Sequence, residues 1–148
     1  MSQYDSDILQ LASKGYCCAQ MLLQLALDMQ GTENPGLIRA AQGLCTGGGD
    51  SNGNCGALTG GQCLLTYYLG KGSPQESASN RLPLLLSELR SWFTERTAPH
   101  GGTLCHNIAP TPDAYLSVCP GIIGDMAEKV FALLMAEGVE LNELKEEL

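Results

Sequence analysis

An all-α fold, a compact bundle of five to seven helices with glycine-rich loops, is what this 148-residue sequence predicts. Three observations point to it. Apolar residues recur at helical spacing, no alternating run of β-branched and aromatic residues is present, and glycine or proline marks the breaks in the periodicity.

Residues 6–14 read as a first helix, with Ile8, Leu9, Leu11 and Ala12 on its apolar face and Gly15 at its end. A second helix over 19–29 is apolar nearly all round, through Met21, Leu22, Leu23, Leu25, Ala26 and Leu27, which suits burial on most sides. Gly31 closes it. Asn34 is a good cap and Pro35 is tolerated in a first turn, so a third helix runs from 35 to about 44. The next stretch is a loop, because Gly43, Gly47, Gly48, Gly49 and Gly53 would each cost a helix about 1 kcal/mol.

A fourth helix over 55–69 carries Ala57, Leu58, Cys63, Leu64, Leu65, Tyr67 and Tyr68, and Gly56, Gly60 and Gly61 allow close backbone approach. A fifth is expected from 74 or 75 to 96, capped by Ser73 and kinked or divided at Pro83, with a stripe of Leu82, Leu85, Leu86, Leu89, Trp92 and Phe93. A second glycine-containing loop over 98–102 leads to Cys105 and a proline-interrupted stretch at 109–112. The last helix, over 121–137, buries Ile122, Ile123, Met126, Val130, Phe131 and Leu134, and Gly138 separates it from an acidic amphipathic tail ending at Leu148.

One domain over 1–148 is the expectation, since a chain of this length buries roughly two thirds of its unfolded surface. With 44% apolar and 16% charged residues, it should fold without disulfides. A net charge of −8, with eight basic residues scattered singly, leaves no positive stripe for phosphates or anionic lipid, so nucleic acid and membranes are excluded as partners. The first seven residues lack the basic and apolar regions of a secretory signal, and no apolar run approaches the ~20 residues of a membrane span; a cytoplasmic location follows as an expectation.

Seven cysteines stand against this background, and a reducing compartment does not keep structural disulfides. The excess asks for chemistry. Cys18, Cys55, Cys105 and Cys119 each lie at a glycine- or proline-marked junction, and Cys18 and Cys55 fall near helix N-termini, where free amides favour a thiolate. Their spacing, Cys18-x36-Cys55-x49-Cys105-x13-Cys119, lacks the short Cys-x2-Cys step of a zinc ribbon or ferredoxin. Four thiolates gathered from distant loops would still suit a metal, because glycine-rich turns let backbone N–H groups reach the sulfurs.

Three redox or metal readings share these residues: a [2Fe–2S] or [4Fe–4S] cluster, a thiol–disulfide enzyme using paired cysteines, and a structural zinc or metal-carrier site. A helical partner-binding domain with incidental cysteines is the bland alternative. His106 adjoins Cys105 and would permit a mixed sulfur and nitrogen ligand set, though a loop histidine is more often merely solvated. The glycine loop has no Gly-Lys-Ser/Thr ending, no Gly-x-Ser-x-Gly elbow is present, and no carboxylates pair as an acid/base couple, so phosphate binding and hydrolase chemistry are set aside.

The combination Gly15-Tyr16-x-Cys18-Ala19-Gln20, Gly47-Gly48-Gly49, Cys55-Gly56-Ala57-Leu58-Thr59-Gly60, Gly102-x-x-Cys105 and a closing Cys119 resembles the C_GCAxxG_C_C family of redox-active proteins over nearly the whole chain. That resemblance implies that Cys18, Cys55, Cys105 and Cys119 are the family's four shared cysteines. The same module resembles the iron–sulfur part of split-Soret cytochrome c, which implies a cluster on these four. No Cys-x-x-Cys-His segment is present, so covalent heme is not expected. Cys17, Cys45 and Cys63 fall outside the set. A redox partner protein, met through an acidic surface, and a homodimer are further expectations.

Overall fold

The computed structural model describes residues 2–144. Its helices are α1 (Asp5–Ser13), α2 (Cys18–Gln30), α3 (Pro35–Ala41), α4 (Cys45–Gly48), α5 (Gly56–Leu69), α6 (Leu82–Thr97), α7 (Cys105–Ile108), α8 (Pro112–Ser117) and α9 (Cys119–Ala136). Seven of these have six residues or more, while α4 and α7 are single turns. The described residues form no strand, only an isolated antiparallel bridge between Asn54 and Leu104. No described helix is long and apolar enough to cross a membrane.

The all-round apolar character of α2 makes it the central element. Nine of its residues are buried, and it packs against α5 most extensively, then α3, α9 and α1. Leu22, Leu58, Leu64, Leu65, Phe93, Met126 and Phe131 are fully enclosed, each large apolar side chain contributing about 1.5–3 kcal/mol on burial. The glycines of α5 set its distance from its neighbours. A β-carbon on Gly60 would lie 2.7 Å from the Ala19 Cα of α2, and one on Gly61 would collide with Met126 of α9. No larger residue fits this seam.

Asn34 caps α3 as its sequence predicts, its Oδ1 accepting from the Leu37 amide at 3.1 Å. The helix is shorter than expected, however, tightening after Ala41 into a 3₁₀ turn over Gln42–Leu44. The fifth helix is the larger departure. It starts at Leu82, not at 74 or 75, and Pro83 sits in its first turn, where a missing N–H breaks no helical bond. Proline there starts the helix and neither kinks nor divides it, and Ser73 is not its cap.

Pro112 and Pro120 act in the same way. Thr111 Oγ1 accepts from the Ala114 amide at 3.1 Å, opening the unanticipated helix α8, and Pro120 lies in the first turn of α9, which begins at Cys119. After Gly138 the acidic tail is non-helical over residues 139–144 and lies against α2 and α5, where Leu141 O accepts from Tyr68 Oη at 2.7 Å and Glu143 O from Gln30 Nε2 at 3.1 Å. Residues 145–148 of that tail lie outside the described residues.

Candidate redox site

Each of the four cysteines singled out by sequence stands at the start of a helix. Cys18, Cys105 and Cys119 are the first residues of α2, α7 and α9, and Cys55 immediately precedes α5. A short antiparallel pairing closes the long sequence gap between Cys55 and Cys105. The Cys55 amide donates to Thr103 O at 2.8 Å and the Cys105 amide to Gly53 O at 3.0 Å. Thr103 Oγ1 adds a bond to Asn54 Oδ1 at 3.0 Å, and Asn107 Oδ1 accepts from the Leu104 amide at 3.3 Å.

The turn over Cys45–Gly48 presses into this arrangement. Thr46 and Gly47 are both left-handed, at φ 55° and 61°, and Gly47 O accepts from the Gly53 amide at 2.9 Å. A β-carbon on Gly47 would lie 2.8 Å from Cys105 Cβ, so only glycine lets the turn pass beside that cysteine. Thr46 is a β-branched residue in a conformation L-residues avoid, and its amide is turned onto the Cys18 sulfur. A strained turn thus delivers one hydrogen-bond donor to one thiol.

The four thiols share one electrostatic environment. Once ionised, Cys105 would act on Cys18, Cys18 and Cys119 on Cys55, and Cys18 and Cys105 on Cys119. Tyr115, in the middle of α8, has its phenol pKa raised by burial and then by charge on Cys18, Cys119, Cys105 and Cys55. Cys18, Cys55 and Cys105 are buried and Cys119 is half-buried, which leaves Cys119 the most exposed of the four.

The expectation of ready thiolates at Cys18 and Cys55 is corrected by burial. Both are hydrogen-bonded by helix-terminal amides, Cys18 by Thr46 and Ala19, Cys55 by Ala57 and Leu58, and these bonds do favour the anion. Desolvation outweighs them. It raises Cys18 above its ordinary value, pushes Cys55 up to about 12, and, with neighbouring thiolate charge, pushes Cys119 to about 11. In the metal-free protein these are neutral thiols at pH 7. Among the described residues no group of three or more His, Cys, Asp and Glu side chains is disposed as metal ligands.

The three remaining cysteines divide. Cys17 and Cys45, left aside by sequence reasoning, form a disulfide with Cα atoms 6.0 Å apart, against the expectation of a fold free of such bonds. No short spacing signals it, since the two stand 28 positions apart in the chain. Cys63 is free and half-buried on α5, apart from the others, between Leu44 and Leu86. The His106 side chain is exposed, while its amide donates to Ser51 O at 3.1 Å.

A family model described as "Putative redox-active protein (C_GCAxxG_C_C)" matches residues 16–133, most of the chain and all four of these cysteines. The chain belongs to that family. No curated protein and no solved structure matches it. Membership of the C_GCAxxG_C_C family brings a redox role with it, and the Cys-Gly-Ala-x-x-Gly segment of this member has a geometric reading. Cys55 supplies a sulfur, and Gly56 leaves the room that the Cys18 sulfur occupies. The Ala57 amide bonds the Cys55 sulfur, and Gly60 seats α5 on α2.

Proposed function

We propose that this C_GCAxxG_C_C protein holds an iron–sulfur cluster on Cys18, Cys55, Cys105 and Cys119 and uses it for electron transfer or redox sensing. The observation that carries the reading is that four cysteines remote in sequence each open or adjoin a helix start, with Cys55 and Cys105 tied by backbone pairing and the Cys18 sulfur seated against Gly56. The donor chemistry suits such a group: four sulfurs, with amide N–H groups at Cys18 and Cys55 that stabilise bound thiolates and tune potential. Loading would have to draw the sulfurs into a ligand arrangement that the described residues of the metal-free chain do not hold. Binding would displace the thiol protons that burial retains in the free protein. When bound, the group supplies one-electron chemistry; the chain orients the sulfurs, excludes water from three of them and leaves α8 as the point of electron entry.

The redox partner would meet the protein at α8, where Tyr115 and Leu116 are exposed beside the half-buried Cys119; Leu116 is 74% exposed. A homodimer using the same face would close the pocket from solvent. A cytoplasmic location suits thiols that must stay reduced until loaded.

Anaerobic purification tests the reading. The protein should carry iron and labile sulfide in equal amounts, with charge-transfer absorbance that Cys→Ser changes at 18, 55, 105 or 119 abolish and Cys63→Ser leaves intact. Stoichiometric zinc without sulfide would identify a structural metal site on the same ligands instead. Absence of any metal after reconstitution would leave thiol–disulfide chemistry, a reading that the Cys17–Cys45 bond favours on its own account.

A further inference from the structure

We infer that Cys17–Cys45 is a reversible dithiol/disulfide couple, a second, two-electron redox site beside the four-cysteine pocket, reduced by a dithiol. The inference goes beyond the cluster reading and does not rest on it, because it concerns two sulfurs outside the proposed ligand set.

Geometry provides for both oxidation states. The Cα separation of 6.0 Å is within the range a disulfide spans. Each sulfur also has an acceptor oxygen in place for the reduced form: Gln20 Oε1 lies 3.4 Å from Cys17 Sγ, and Ala41 O lies 3.9 Å from Cys45 Sγ. Gln20 is buried and held by its Nε2, which donates to Ile38 O at 3.1 Å, while its Oε1 also accepts from the Cys17 amide at 3.2 Å. A disulfide sulfur donates nothing, so the contacts of the two sulfurs with these acceptors become hydrogen bonds only after reduction, when two S–H groups need partners.

Access is one-sided. Cys17 is half-buried and Cys45 is buried, and the nearby groove of about 400 Å³ is lined by Cys17's neighbours Tyr16 and Gln20 and not by Cys17 itself. A reductant thiolate therefore attacks Cys17 Sγ. The S–S bond breaks, a mixed disulfide forms at Cys17, and Cys45 leaves as a thiolate that takes a proton and turns to Ala41 O. The second thiol of the reductant then attacks its own sulfur in the mixed disulfide, releasing Cys17 as a thiol. The protein gains two electrons and two protons, and the reductant is converted to its disulfide.

The couple is coupled to the pocket by the chain. Cys17 adjoins Cys18, and Cys45 adjoins Thr46, whose amide bonds the Cys18 sulfur. The disulfide ties both ends of that contact together.

Differential alkylation with peptide mass spectrometry tests the inference on the full chain under native conditions. Air-exposed protein should show Cys17 and Cys45 blocked together. Dithiothreitol, or reduced thioredoxin as a protein dithiol, should free two thiols per chain at those positions without loss of helical circular dichroism, and oxidised glutathione should remove them again. Response to dithiothreitol alone would name a small reductant, and response to both would admit a protein partner; in Cys45→Ser protein the paired change should vanish, with Cys17 labelled throughout. Thiols at 17 and 45 that appear only after denaturation would mark an inert cross-link and overturn the inference, as would two native thiols that oxidised glutathione fails to pair.

Discussion

Gly56 stands so close to Cys18 that the sulfur occupies the space a β-carbon at position 56 would need, and Leu44 O lies 3.0 Å from the same point. This contact joins the segment after Cys55 to the first turn of α2. It fixes two of the four cysteines relative to each other without any bond between them. Gly56→Ala must displace the Cys18 side chain or shift α5, and overpacking of this kind costs about 1–3 kcal/mol. Urea denaturation should show that loss. Gly43→Ala, at a glycine with nothing near its missing β-carbon, should change stability by less than about 1 kcal/mol.

Tyr115, 38% exposed, feels charge on Cys18, Cys119, Cys105 and Cys55. Its ring is partly solvated, so Tyr115→Ala should cost little stability, within about 0.5–1 kcal/mol for a surface position. Access to sulfur should change far more. Iodoacetamide labelling of Cys119 at fixed pH should speed up several-fold, roughly as its remaining cover is lost, while Cys63, on another face, keeps its rate. Equal acceleration at both positions would indicate general loosening and no specific cover of Cys119 by Tyr115.

The readable parts of this molecule were those governed by local rules. Apolar periodicity located α1, α2, α5 and α9 to within a residue or two, and Asn34-Pro35 announced α3. Proline was misread where it opened a helix: Pro83 and Pro112 serve as first-turn residues, and only the surrounding packing distinguishes that role from a break. The four cysteines of the proposed site are marked in the sequence by their glycine and proline flanks. Their protonation was not, since it depends on how deeply the pocket is buried, and the Cys17–Cys45 bond was not, since it is made by tertiary approach of residues with no local signal.

Arg96 of α6 pairs with Asp125 of α9, Nε and Nη2 both 3.0 Å from Oδ2. Both side chains are about one-third exposed, so solvent screens the pair and its contribution should stay within about 1 kcal/mol. Arg96→Met should lower the urea midpoint slightly at low salt, and the difference from the parent should shrink in 1 M NaCl, where charges are screened beyond ~3 Å. An undiminished deficit at high salt would assign the loss to packing of the arginine stem.

The buried thiols give the metal-free protein a pH dependence on the alkaline side. Burial raises Cys18, and it pushes Cys55 to about 12 and, with neighbouring charge, Cys119 to about 11, from an ordinary 9.0. In the unfolded chain these thiols ionise near their ordinary value, so between pH 9 and 11 the folded state holds more protons than the unfolded one. The slope of unfolding free energy with pH is then negative. Stability should therefore be unaffected by these groups below pH 8 and fall as pH rises from about 9 through 11, and Cys55→Ala should flatten that fall. Urea titrations of reduced, metal-free protein between pH 7 and 11 read the effect; a flat profile for the parent would mean that water reaches the sulfurs freely. A bound metal should reverse the sense, because ligation releases protons and strengthens as pH rises. Loaded protein should accordingly hold its stability over the interval in which the metal-free chain loses it.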